Sequence, residues 1–185
     1  MPVVKTSREE IIKVAIGVFR TKGYYNTSMN DLAQACDLQK GSFYHYFDSK
    51  EQLMLEGLQY VHMVLKSRVF IYADDPMLSA KEKLEKILLK LGKYLLEKSG
   101  GCIVGNTSLE TAGQVTLFKS TLKAIFTDWI TAMKTIFMEQ YSESTAQRLA
   151  EQVIMEFEGA VMFSQIYDDQ QYLKDVFVRT MAKLK

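Results

Sequence analysis

The sequence predicts an all-helical protein, and three observations carry that prediction. Proline occurs only twice in 185 residues, at Pro2 and Pro76, so long stretches lack the residue most hostile to helix interiors. Apolar residues recur every three or four positions, the period of a helix with one buried face. No run alternates apolar and polar residues as a half-buried strand does. Hydrophobic residues make up 48% of the chain, enough for a sizeable core, and the length suits either one large domain or a small one joined to a larger one.

The first helix is predicted to start at Ser7. Glu10 stands three residues later, so each side chain can reach the other's backbone N–H in a capping box. Ile11, Ala15, Val18 and Phe19 share a face that Ile12 and Ile16 widen. Gly23 is the expected stop, in the left-handed conformation that glycine adopts freely. A second, short helix follows in "NTSMNDLAQACDL". Thr27 or Ser28 is its N-cap, Asp31 sits in its first turn where the helix dipole favours an anion, and Leu32 and Ala35 point inward.

After a turn at residues 36–39 comes "QKGSFYHYF", a third short helix of unusual composition. Leu38, Phe43 and Phe47 form its apolar stripe. Lys40, Ser42, Tyr44, His45 and Tyr46 are left facing out, and Gly41 lets another backbone approach. One cation, hydroxyls, phenols and an imidazole together can donate to phosphate oxygens and touch base edges. Two short helices joined by a tight turn, the second one polar, follow the helix-turn-helix plan. Lys50, after "DS", sits where the N–H groups of a further helix and a lysine can share one phosphate.

Charge and cysteine content narrow the classes. The net charge is +1, which excludes a polycation. Residues 1–50 hold seven cations against five anions, and the remainder sixteen against seventeen, a weak asymmetry. Cys36 and Cys102 give no disulfide framework and no CxxC pair. The first residues lack the apolar core of a signal peptide, and no window approaches the ~20 apolar residues of a membrane helix. The expectation is a soluble cytoplasmic protein. No metal-ligand spacing, nucleophile motif or dinucleotide fingerprint occurs, so neither an enzyme nor a bound cofactor is expected.

The segment "TSMNDLAQACDLQKGSFYHYFDSKEQL", residues 27–53, resembles the DNA-binding signature of tetracycline-repressor-like (TetR family) regulators, and "REEIIKVAIGVFRTKGYYNTS" resembles that family's first helix and Phe-x-x-x-Gly-Tyr turn. The spacing of Gly41, Tyr44, Phe47 and Lys50 carries the match. The resemblance implies that Thr27, Ser28, Tyr44, Tyr46 and Lys50 grip phosphates, while Asn30, Lys40, Ser42 and His45 lie nearer bases. Two positions depart from the pattern. Asp37 stands in place of the turn glycine, and aspartate tolerates the left-handed region. Gln39 stands where serine or threonine often caps the third helix. The resemblance sets a DNA-binding domain at 1–48 and a helical effector-binding and dimerisation domain at 49–185.

The rest of the chain is read as that helical domain. One long helix is expected over 49–72, broken near "ADDPM". Another spans 79–99, with Leu84, Leu88, Leu91 and Leu95 on one stripe and lysines opposite. "GGCIVGNT" has the glycine separation of a phosphate loop, but Asn106 occupies the lysine's place and no strand precedes it. A helix break is the better reading, with helix resuming near Asn106. Relatives in the resembling family carry a Gly-Cys-x-x-x-Asn-x-x-x-Glu segment here, with Glu110 at its last position. Cys102 either packs as a small hydrophobe or, beside helix N–H groups, becomes a reactive thiol. Further helices are expected at about 115–140, 143–167 and 169–184.

The many aromatic and methionine side chains of these helices suit either a core or an apolar pocket. His62, Cys102, Phe126 and Trp129 are the candidate effector residues, and the effector expected is small and hydrophobic or aromatic. The stripe Leu149, Val153 and Phe157, with Gly159 and Ala160 allowing close approach, continues in Leu173, Val176, Phe177 and Met181. It is the candidate homodimer interface. The function expected is a repressor released from its operator by such an effector. The alternative is a DNA-binding regulator controlled by a protein partner or by cysteine oxidation.

Overall fold

The computed structural model describes residues 7–96 and 100–185, and the described residues hold helices and no strand. The expected helix end at 97–99 lies outside them. In order the helices are α1 (Arg8–Lys22), α2 (Met29–Ala35), α3 (Lys40–Tyr44), α4 (Lys50–Arg68), α5 (Ala80–Leu96), α6 (Ile103–Thr111), α7 (Thr116–Phe137), α8 (Glu143–Ile166) and α9 (Gln171–Met181), with a 3-10 turn over Phe70–Asp74. No described helix is long and apolar enough to cross a membrane.

The chain divides into two compact units. One holds the described residues up to His62 together with Ile103–Leu122; the other holds Met63–Cys102 and Lys123–Lys185. In the first unit, Ile11, Ala15 and Phe19 of α1 are buried, as are Leu32, Phe43, Phe47, Leu53 and Leu58. Gly57 lets α4 approach α1, since a Cβ there would lie 3.3 Å from Ile16. Arg8 clamps the other end: its guanidinium pairs with both Glu56 oxygens, donates to the Tyr46 carbonyl and lies 4.0 Å from the Phe47 ring centre. Residues 103–122 join this unit although no local pattern links them to it.

In the second unit the α5 stripe is buried as expected at Leu84, Leu88 and Leu91, and Ile87 joins it. Lys83 is the lysine that does not face solvent; it reaches Glu139 at 2.7 Å. Trp129 packs edge-on against Phe157 at 5.1 Å, and Phe157 stacks on Phe177 at 5.7 Å.

Several expectations need correcting. The long helix ends at Arg68 rather than Tyr72, because Val69 leaves helical geometry at φ −122°, ψ −63° and buries its side chain. Helix α6 begins at Ile103, three residues before Asn106. On α2 the residue beside Leu32 in the core is Ala33; Ala35 is exposed. Val153, Phe157 and Ala160 are buried within their own chain. Gly23 does take a positive φ of 83°, but with ψ 160°, an extended region open to glycine alone rather than the left-handed helical one.

Candidate nucleic-acid interface

Local chemistry places α2 and α3. Ser28 caps α2: the Asp31 N–H donates to its hydroxyl at 3.1 Å, and the Asp31 carboxylate accepts from the Ser28 N–H at 2.8 Å. Lys22 at 2.7 Å, and then the Ser28 bonds, hold the Asp31 carboxyl far below its usual range. That pairing offsets the charge of Asp31. The turn passes through Asp37 at φ 54°, the left-handed conformation anticipated for it. The Leu38 N–H then returns to the Ala33 carbonyl at 2.9 Å, which closes α2. Gln39 is the N-cap of α3 but makes no side-chain capping bond.

Two phenylalanines orient α3. Phe43 and Phe47 are fully buried, with ring centres 6.3 Å apart. Their burial turns Lys40, Gly41, Ser42, Tyr44 and His45 outward. Tyr44 is 41% exposed, high for a ring. A Cβ on Gly41 would meet nothing within 4 Å, so the surface is flat there. No carboxylate lies within α3. Ser28 and Asn30 are exposed beside it.

Three other members of the expected set sit differently. Thr27 is only 2% exposed, and its hydroxyl donates to the Gly23 carbonyl at 2.6 Å. Tyr46 is half-buried. Lys50 is folded against the turn after α1: its Nζ donates to the Tyr24 carbonyl at 2.8 Å and lies 4.4 Å from the Tyr24 ring centre. The Tyr24 hydroxyl in turn donates to Glu51 at 2.9 Å. Glu110 of α6 reaches the same turn from its other side and accepts from the Tyr24 N–H at 2.6 Å. The motifs mark Tyr24 and Glu110 by position only, and Arg8 not at all; the contacts through which all three act lie far apart along the chain.

The candidate effector residues divide between the units. His62 is half-buried at the end of the first unit's share of α4. Cys102, Phe126 and Trp129 belong to the second unit. Trp129 is 4% exposed, and its indole N–H has no hydrogen-bond partner among the described residues. The Cys102 thiol hydrogen-bonds the carboxyl of Glu158, whose pKa burial pushes up. Among the described residues no group of His, Cys, Asp and Glu is placed to hold a metal ion.

On α8 the apolar residues form two opposite faces. Val153, Phe157, Ala160 and Val161 face inward. Met155, Met162, Phe163 and Ile166 lie on the other face, with Ile166 65% exposed, and Gly159 between them would have open space around a Cβ. Leu149 and Phe177 are half-buried.

Comparison with known proteins adds to this geometry. Residues 11–56 match the family model described as bacterial regulatory proteins, tetR family. Residues 80–178 match that of the transcriptional regulator LmrA/YxaF-like C-terminal domain. The HTH-type transcriptional repressor DhaR of Mycobacterium sp. (strain GP1) is 24% identical, over 90% of this chain and 86% of that protein. The uncharacterized HTH-type transcriptional regulator YxaF of Bacillus subtilis (strain 168) is 27% identical, over 85% and 84%. A crystal structure of a TetR transcriptional regulator from Legionella pneumophila superposes with a TM-score of 0.89 at 23% identity, covering 100% of both chains. At that identity the likeness shows the fold.

Proposed function

Since this chain belongs to the tetR family of bacterial regulatory proteins and is a DNA-binding transcriptional regulator, we propose that it is a repressor whose α3 face enters the major groove. The observation that carries the reading is the outward set Lys40, Gly41, Ser42, Tyr44 and His45, held by the buried Phe43 and Phe47. Tyr44 and Ser28 donate to phosphates, which sets register, while Lys40, Ser42, His45 and Asn30 approach base edges. Lys50 spends one N–H on Tyr24, and an ammonium has two more for a phosphate. Thr27 and Tyr46 support that surface from within.

The repressor acts as a two-fold dimer, so that two α3 helices meet successive half-sites. Its interface is the outward face of α8 around Gly159 and Ile166, continued by exposed Val178 of α9. A small, largely apolar effector releases it from DNA. The unpartnered Trp129 N–H supports this, because a buried donor gains by meeting an effector oxygen. The signal travels along α4, whose residues divide between the two units after His62.

Selection of duplexes from a randomised library by the full-length protein tests the DNA reading, with an enriched inverted repeat expected. Thermal-shift screening of small aromatic compounds tests the effector. A compound that raises the midpoint and weakens binding to the enriched duplex supports it. Indifference to every compound, with a protein partner that co-purifies, supports control by that partner.

A further inference from the structure

We infer that Glu110, outside the helix-turn-helix segment, is a positioning residue for DNA reading: it fixes the turn between α1 and α2 on which the α3 surface depends. The inference rests on the DNA-binding role proposed above. The Glu110 carboxylate accepts from the Tyr24 N–H at 2.6 Å and reaches the Tyr25 N–H at 3.4 Å. These amides follow the end of α1, so the carboxylate stands in for a helical partner that the chain no longer offers. Gly23 makes the approach possible. A Cβ there would lie 2.6 Å from Glu110 Oε1, and the φ of 83° excludes most side chains in any case.

The turn Glu110 holds is connected on every side. Lys50 binds the Tyr24 carbonyl, so both polar groups of the Tyr24 backbone are gripped, one by α6 and one by α4. The Tyr24 ring packs edge-on against Phe118 at 5.2 Å, and the Tyr25 hydroxyl donates to Gln114 at 2.9 Å. The Thr27 hydroxyl closes on Gly23 at 2.6 Å, one residue before the Ser28 cap of α2. Movement of Glu110 therefore passes through Tyr24 to the start of α4, and through Thr27 to the start of α2. Both elements flank α3. The carboxylate need not touch DNA to set how well α3 fits it.

The test uses full-length protein and the duplex that wild type enriches from a random library. Glu110→Ala is expected to bind that duplex about tenfold more weakly, the size of one charge-assisted hydrogen bond lost. The salt dependence should be unchanged, since no phosphate contact goes. Hydrogen exchange at the Tyr24 and Tyr25 amides should accelerate. Glu110→Gln keeps an acceptor oxygen and should recover most of the affinity, whereas Glu110→Asp, one methylene shorter, should behave like alanine. If Glu110→Ala does not fold, the aspartate variant takes its place. Wild-type affinity in Glu110→Asp and Glu110→Ala, or equal losses in Glu110→Gln and Glu110→Ala, overturns the inference and leaves the DNA reading intact. A wild type that enriches no duplex overturns both.

Discussion

Single residues decide what this surface can do, and the sequence exposed some of them better than others. Asp37 was legible as a left-handed turn residue because its chemistry is local, and φ 54° bears that out. Lys50 was legible as a cation near α3. Its bond to Tyr24 was not, because the partner lies 26 residues earlier. The dual position predicts that Lys50→Ala lowers the thermal midpoint as well as DNA affinity; scanning calorimetry beside binding titration checks this, and an unchanged midpoint would contradict it. Glu158 carries a pH prediction. Burial raises its folded pKa, so the folded state keeps the proton longer than the unfolded chain, whose value is ~4.3. The stability it lends is full below that value and is lost as pH rises through the folded pKa. Glu158→Gln removes the loss. Its midpoint should gain on wild type as pH rises above the unfolded value and through the raised folded pKa, and a difference that does not change with pH would contradict the assignment.

At the scale of elements, helix starts were the most readable feature. The Ser7 and Glu10 box is present with both bonds, since a capping box needs only residues three apart. Ser7→Ala should cost about 1 kcal/mol, measured by urea unfolding. Helix ends were less readable where tertiary packing decides them, as at Val69, which turns inward to the core. Gly23 illustrates both cases. Its role as a stop was visible, while its second role, admitting Glu110, depends on α6, 87 residues away from it by sequence number. Gly23→Ala meets both a forbidden backbone region and the carboxylate, and should destabilise by more than ~1 kcal/mol. Periodicity also failed to separate the two faces of α8. It finds apolar positions but cannot say which are covered by the same chain, so the stripe at Val153 and Phe157 is core while Met155 and Ile166 face out.

For the whole molecule, the proposed two-fold assembly rests on that outward face of α8. Ile166→Glu and Gly159→Glu should turn a dimer into a monomer in sedimentation at micromolar concentration, with helix content preserved. Dimers of wild-type strength in both variants would place the interface elsewhere. The fold class and the helix-turn-helix were legible because both rest on short-range spacing. The two compact units were not, because 103–122 joins the first unit through side chains that no local pattern links to it. The central claim is that the face of α3 reads DNA, and the salt dependence of binding by wild type, Lys40→Ala and His45→Ala to the enriched duplex tests it most directly. Wild type should weaken steeply as salt rises. Lys40→Ala should weaken binding and lower that slope by about one unit. His45→Ala should keep the slope and change the preferred base pair at one position of each half-site. If both variants bind with wild-type affinity, slope and preference, α3 is not the reading surface.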